Sequence, residues 1–390
     1  MWPLNKMPTK SPVYCDYNAG APIRAEAAVA MSRALAVGGN PSSVHSAGRR
    51  MRALIEDARE RIAGALDASA ENVVFTSGAT EALHLVLSTF DAHARSEGAD
   101  DWTPSLVVAD CEHDALFEDG KRRAMLRAPL LASGLIDLDA FANVLKEAPK
   151  PILAAVQLAN NETGVMQPIA KVAALCREHG ALLLVDAAQA FGRIPVSISD
   201  LDATYLVVSS HKLGGPPGAG ALILAPGAPF VTTRFGGGQE RGRRPGTENG
   251  AAIVGFAVAA EWALQEIASQ ARRLQAMRDR FEAGLPTDAV VFGAEAPRLP
   301  NTSNFALPGL TAETAVIGMD LEGVALSSGA ACSSGKVRSS RVLSAMGVPG
   351  ELARAALRVS FGHESKESDV EEVLNALGKV AARRSRGAAA

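Results

Sequence analysis

Tyr205-Leu206-Val207-Val208-Ser209-Ser210-His211-Lys212 joins an apolar run to two small hydroxyls, a histidine and a lysine. The run predicts a strand buried on both faces, with the polar residues at its carboxyl end. Gly214-Gly215-Pro216-Pro217-Gly218 follows at once and leads into a second apolar run, Ala221 to Leu224. This connection is too short for a helical crossover, so the second run is expected to lie antiparallel to the first. Upstream, Val73-Val74-Phe75, Leu106-Val107-Val108, Ile152 to Leu158 and Leu182 to Val185 read as further strands. Helical periodicity separates several of them, as in Ile169 to His179. The alternation predicts an α/β fold, a mostly parallel sheet covered by helices on both faces.

Sheets of this kind bind ligands in the crevice outside the carboxyl ends of their strands. Here Thr76-Ser77-Gly78-Ala79-Thr80, Glu112-His113, Asn160-Asn161-Glu162, Asp186 with Gln189, and Ser209 to Lys212 follow successive strands. Asp186 closes the apolar run Ala181 to Val185, where an unpaired charge would cost several kcal/mol, so it needs a cation. Lys212 has a bland alternative, a surface lysine laid along its stem. Against it stand the buried strand before it and the tight turn after it. Desolvation lowers a lysine's pKa, as a Schiff-base or proton-transfer lysine requires. An amine for an aldehyde and a carboxylate for a pyridine nitrogen are the two groups that pyridoxal phosphate (PLP) demands.

Other residues fit that chemistry, each with a plainer alternative. Thr76 to Glu81 runs into a helical stretch from Ala82 to Phe90, so small residues and a helix N-terminus could cradle a phosphate; otherwise Thr80 is a simple cap. His113 could stack on a planar cofactor and move protons, or serve structurally. Asn161 and Gln189 are amides able to bond a phenolic oxygen or a carboxylate, or to cap loops. Arg358, between apolar neighbours, suits a bidentate grip on a substrate carboxylate or a structural ion pair. Cys332 lies in Ser327-Ser328-Gly329-Ala330-Ala331-Cys332-Ser333-Ser334-Gly335, nearly all small residues, with Lys336 and Arg338 close enough to favour a thiolate.

The 390 residues allow two domains. We expect an N-terminal segment at 1–20 packing with the small domain, a large domain at 21–255, and a small C-terminal domain at 256–390 bearing Cys332. A long helical stretch from about 249 to 283 is expected to bridge the domains. With 47% apolar and 21% charged residues the balance is globular, and a net charge of −3 gives no reason to expect nucleic acid or an acidic membrane as partner. Met1 to Lys6 lack the apolar core of a signal peptide, and Ala251 to Ala260 is too short to span a bilayer. A cytoplasmic protein is expected. Cys15, Cys111, Cys176 and Cys332 are far apart, which suggests neither a metal site nor disulfides. The first three read as small packing residues.

The ordered set of motifs resembles the class V aminotransferase group of fold-type I PLP enzymes, and within it the NifS/IscS-type cysteine desulfurases. Gly39-Asn40-Pro41-Ser42-Ser43-Val44-His45, Phe75 to Glu81, Glu112-His113, Asn160 to Gly164, Val185-Asp186-Ala187, Ser209 to Lys212, Gly236 to Asn249 and Ser328 to Cys332 carry the resemblance over nearly the whole chain. It implies that Lys212 holds PLP, Asp186 pairs with the ring nitrogen, and His113 stacks on the ring. Gln189 and Asn161 would bond the phenolic oxygen. Ala79, Thr80, Ser209 and His211 would hold the phosphate, joined by Thr247 from the other subunit of a homodimer. Arg358, with Asn161, would bind the carboxylate of L-cysteine. Cys332 would take the sulfur as a persulfide and pass it to an iron–sulfur scaffold or another acceptor protein.

Two departures stand out. Relatives usually carry Leu at the position of Cys15 and threonines at those of Gly20 and Ala21. Arg338-Ser339-Ser340 replaces the usual Glu-Pro-Ser. The resemblance leaves a selenocysteine lyase or an aminotransferase as the alternative chemistry, and a non-catalytic binding protein as the alternative class. Lys212 and Asp186 together argue against the last.

Overall fold

The computed structural model describes residues 12–96, 104–119, 125–329 and 340–387. The chain enters through a short strand, β1 (Val13–Tyr14), and two helices, α1 (Ala25–Val37) and α2 (Ser46–Ala65). The large sheet follows, with β2 (Val73–Thr76), α3 (Ala79–Ser96), β3 (Ser105–Ala109), α4 (Asp114–Asp119), β4 (Met125–Ala128), α5 (Leu138–Glu147), β5 (Ile152–Gln157), α6 (Ile169–His179), β6 (Ala181–Asp186), β7 (Tyr205–Ser209) and β8 (Gly220–Leu224). Its strand order is β2-β8-β7-β6-β5-β3-β4. The predicted strands are all present. β4 was not expected: Met125-Leu126-Arg127-Ala128 is a partly exposed edge strand without a continuous apolar run.

All pairs are parallel except those of β8, which runs antiparallel to both β2 and β7. That outcome follows from the short return after Lys212. Gly214 and Gly218 hold φ of 92° and 82°, a region that favours glycine, and let the chain reverse. Alternate strand residues face opposite layers. Val74, Leu106, Val108, Leu153, Leu184, Val207 and Leu222 pack against α3, while Phe75, Val107, Ala154, Val185, Leu206, Val208 and Ile223 face the core shared with α2, α6 and α7 (Gly250–Ala283).

α7 is one unbroken helix, capped by Asn249 Oδ1 accepting from Ala252 N at 3.2 Å. It is long and apolar enough to cross a membrane by composition, yet its first half packs on α1 and α2 as a core helix. Its second half carries Leu274, Met277 and Phe281 into a separate core. There they meet β9 (Val290–Val291), β10 (Thr302–Ala306), α8 (Ala312–Leu321), β11 (Val324–Ala325), β12 (Ser327–Ser328) and, after α9 (Arg341–Ala345) and α10 (Gly350–Ala355), β13 (Ala356–Ser360) and α11 (Glu367–Gly387). The small sheet is antiparallel, ordered β12-β13-β10-β9. β1 pairs with β11, and Asp16 bridges to Ser360, so residues 13–16 belong by pairing to this smaller unit.

Candidate active site

The carboxyl ends of β2, β3, β5, β6 and β7 open into one cavity of about 510 Å³. Ala79, Thr80, His113, Asn161, Asp186, Gln189, Ser209, His211, Lys212 and Arg358 all line it. All of them except Arg358 are brought together by the strand order of the large sheet. Arg358 comes from β13 of the small sheet, so both units contribute walls.

A short 3-10 turn, Ser210–Lys212, lifts Lys212 off the end of β7. Its Nζ donates to the backbone oxygens of Asn18 at 2.6 Å and Ala19 at 3.0 Å. Asp186 ends β6, and its Oδ1 accepts from Ala188 N at 2.8 Å. Burial pushes the Asp186 carboxyl above its ordinary range, against the opposing pull of His113 and Lys212. A fixed cation beside it would reverse that balance. His113 Nδ1 accepts from Ala115 N at 3.1 Å, so the neutral ring carries its proton on Nε2.

Another part of the lining suits an anion. Ser77, Gly78, Ala79 and Thr80 lead into α3, whose first N–H groups lack helical partners. Ser209 Oγ, which also lines the cavity, lies 2.9 Å from His211 Nδ1. Burial, reinforced by Lys212 and Arg193, pulls the His211 imidazole down to about 4, so it is neutral at pH 7. The backbone here is close-packed: a Cβ added to Gly220 would sit 2.7 Å from Gly78 Cα. A buried carboxyl that wants a cation, a lysine, and a glycine-lined helix start fit the pyridine, aldehyde and phosphate of PLP.

Arg358 is 1% exposed. Its Nη1 donates to Asn161 O at 2.9 Å and its Nη2 to Asp16 Oδ1 at 2.5 Å, while Nε has no acceptor among the described residues. Thr247 is exposed and does not line the cavity. Its loop is nevertheless tied down beside the phosphate wall, because Arg244 donates twice to Glu81 at 3.1 Å. Cys332, Lys336 and Arg338 lie outside the described residues. Cys15, Cys111 and Cys176 are buried, and burial raises each thiol, that of Cys176 to about 12. All three match the packing role read from the sequence.

Two residues that sequence reasoning did not single out complete the site. Asn18 Nδ2 donates to Asn161 O at 3.1 Å and to Thr302 Oγ1 at 3.0 Å. Arg193 Nη1 donates to Asn18 Oδ1 at 2.9 Å and Gln189 Oε1 at 2.5 Å, and its Nη2 to Tyr17 O at 3.0 Å and Lys212 O at 3.2 Å. Gln189 Nε2 in turn donates to Asn18 O at 2.9 Å. This orientation leaves the Gln189 amide one N–H for the cavity. Desolvation, then the charge of Arg358, pulls Arg193 down to about 9.

An open α/β sheet delivering a lysine and a buried aspartate to one anion-cradling cavity defines a PLP-type site. Residues 13–373 match the family model described as Aminotransferase class-V. The chain is 35% identical to a cysteine desulfurase IscS of Dictyoglomus turgidum over 95% of each chain. It is also 35% identical to an IscS-like cysteine desulfurase of Mycobacterium tuberculosis, over 97% of this chain and 98% of that one. The structure of a NifS-like protein from Rickettsia africae superposes with a TM-score of 0.86 at 29% identity, over 95% of this chain and 99% of the other. The chain belongs to the class V aminotransferase family of PLP-dependent enzymes, in its NifS/IscS-type cysteine desulfurase group.

Proposed function

We propose that the protein takes sulfur from L-cysteine, releases L-alanine, and holds the sulfur as a persulfide on Cys332 for transfer to an acceptor such as an iron–sulfur scaffold. The observation that carries this reading is the convergence of Lys212, Asp186, His113 and Arg358 on one cavity in a chain whose relatives are cysteine desulfurases. Bound there, PLP supplies an electron sink for the substrate's α-carbon.

The protein's own groups do the rest. Arg358 holds the substrate carboxylate, using the donor capacity that Asp16 and Asn161 leave unfilled. Asp186 would pair with the ring nitrogen, and Ala79, Thr80, Ser209 and His211 would hold the phosphate. Lys212 would anchor the cofactor through its amine and take up the α proton of the substrate. His113 serves as the acid/base near the sulfur. The Cys332 thiolate bonds to the substrate sulfur as the carbon–sulfur bond breaks, and the carbon takes a proton to leave as alanine. Thr247 reaches the phosphate of a second copy in a homodimer.

Incubation with L-cysteine tests the reading. Alanine should form, and the Cys332 peptide should gain the mass of one sulfur. Undiminished alanine from Cys332→Ala would replace this mechanism with a lyase chemistry independent of that thiol.

A further inference from the structure

Two consecutive residues fasten the start of α9 to two loops of the site. Ser340 Oγ accepts from Leu343 N at 3.0 Å, capping α9, and donates to the buried carboxylate of Glu162, the neighbour of Asn161. Arg341 reaches the other way, to the turn that carries His113. Its Nη1 donates to Asp110 O at 2.7 Å, and its Nη2 to Glu112 O and, at 3.2 Å, to Asp114 Oδ1. Its guanidinium carbon lies 3.5 Å from the ring centroid of Phe117 in α4.

These contacts bracket His113 in the chain. Carbonyls at 110 and 112 precede it; a carboxylate at 114 and an aromatic ring at 117 follow. A turn that presents three oxygens to one side needs several donors in a fixed plane, and a guanidinium provides them where an ammonium cannot. From the other side, Glu112 Oε1 accepts from Gln157 N at 2.5 Å and ties the same turn to the end of β5. Arg341 does not line the cavity, so whatever it does for the chemistry it does through this turn.

We propose that Arg341 is a positioning residue for His113: it holds the turn so that the imidazole enters the cavity with its proton on Nε2. The proposal deepens the function proposed above and rests on His113 acting as acid/base there. Misplacing a catalytic group by about 1 Å costs on the order of 100-fold in rate, so loss of the clamp should fall on kcat.

The test uses the PLP-loaded full-length protein with 15N-labelled histidine, the His113 ring signals being identified by their loss in His113→Gln. The wild type should show a single Nε2–H tautomer. Arg341→Ala should average the His113 ring nitrogens between tautomers and lower kcat for alanine formation about 10- to 100-fold with KM little changed. Arg341→Lys, which keeps the charge but not the fork, should recover only part of either effect, and it decides the matter if the alanine variant fails to fold. Val342→Ala, which loosens α9 in the core without touching the turn, should leave the His113 signals in place. Wild-type His113 signals and wild-type kcat in the Arg341 variants would overturn the proposal. If the wild type makes no alanine from cysteine, the function proposed above fails, while the His113 signals still decide the role of Arg341.

Discussion

The Lys212 ammonium lies 2.6 Å from the main-chain oxygen of Asn18, so the lysine delivered by the large sheet is met by the segment that pairs with the small unit. The Asn18 side chain makes this a junction: its amide bonds Asn161 and Thr302, and its oxygen accepts from Arg193 and, at 3.3 Å, from Asn301. Asn18→Ala removes all four bonds at once, although each partner keeps another one. We expect a loss of about 2–3 kcal/mol in denaturant unfolding. Lys212 would keep its backbone acceptors, so cofactor capture should weaken less than stability.

Burial pushes the Glu162 carboxyl up from an ordinary 4.5 to about 7, more than the Ser340 hydrogen bond lowers it. The folded protein therefore binds a proton here that the unfolded chain has released. Its stabilising effect is complete below pH 4.5 and disappears as pH rises through about 7. The swing is at most about 3 kcal/mol. Glu162→Gln keeps an acceptor for Ser340 but cannot ionise, so its stability should fall less steeply than the wild type's between pH 5 and pH 7. Parallel unfolding curves across that window (pH about 5–7) would refute the assignment.

The parts of the site that were legible in the sequence sit directly on secondary structure. Lys212, Asp186 and Gln189 follow apolar runs, and a run that ends in polar residues marks a strand end wherever it occurs. Asn18 and Arg193 carry no such mark, since their bonds join loops far apart in sequence, between units whose docking no local pattern encodes. Arg341 was hidden for the same reason: an arginine at a helix start reads as solvated until Phe117 and the Asp110–Asp114 turn are found beside it. β4 escaped because an edge strand need not be apolar on both faces. The fold was legible because β-α alternation is local; the polar wiring was not.

Glu240 is 4% exposed and locked to Arg59 by two bonds, at 2.6 and 2.9 Å, while accepting from Phe75 N at 2.8 Å. It thereby pins the glycine- and arginine-rich loop to β2, the strand that leads into the phosphate wall. Glu240→Ala leaves the guanidinium of Arg59, itself 3% exposed, with only the part-exposed Glu56 at 3.2 Å and Val73 O as hydrogen-bond partners among the described residues, and should cost about 3 kcal/mol, the low end for breaking a buried pair. Replacing both partners by apolar residues, as in Arg59→Met with Glu240→Leu, should cost less than the single change. Equilibrium unfolding of the three proteins checks the order.

Gly220 begins β8 opposite Thr76 on one side and Ser209 on the other. A Cβ there would meet Gly78 Cα at 2.7 Å, Gly78 C at 2.9 Å and Val208 O at 2.9 Å, all of them backbone atoms. Contacts that close cannot be relieved by turning a side chain, so Gly220→Ala must displace either β7 or the Gly78 turn. β7 is held along both edges by β6 and β8, whereas Gly78 is held, among the described residues, through its carbonyl alone, which accepts from Thr76 Oγ1 at 3.0 Å and Ala82 N at 3.2 Å. The turn should yield, and with it the start of α3 that receives the phosphate. Overpacking of this kind costs typically 1–3 kcal/mol of stability, and we expect about a tenfold or greater loss of PLP affinity. Pyridoxal, which lacks the phosphate, separates the two effects. Its weaker affinity for the wild type should be nearly retained in Gly220→Ala, so the advantage of PLP over pyridoxal should shrink. An equal loss for both ligands would place the displacement at β7 and Lys212 instead.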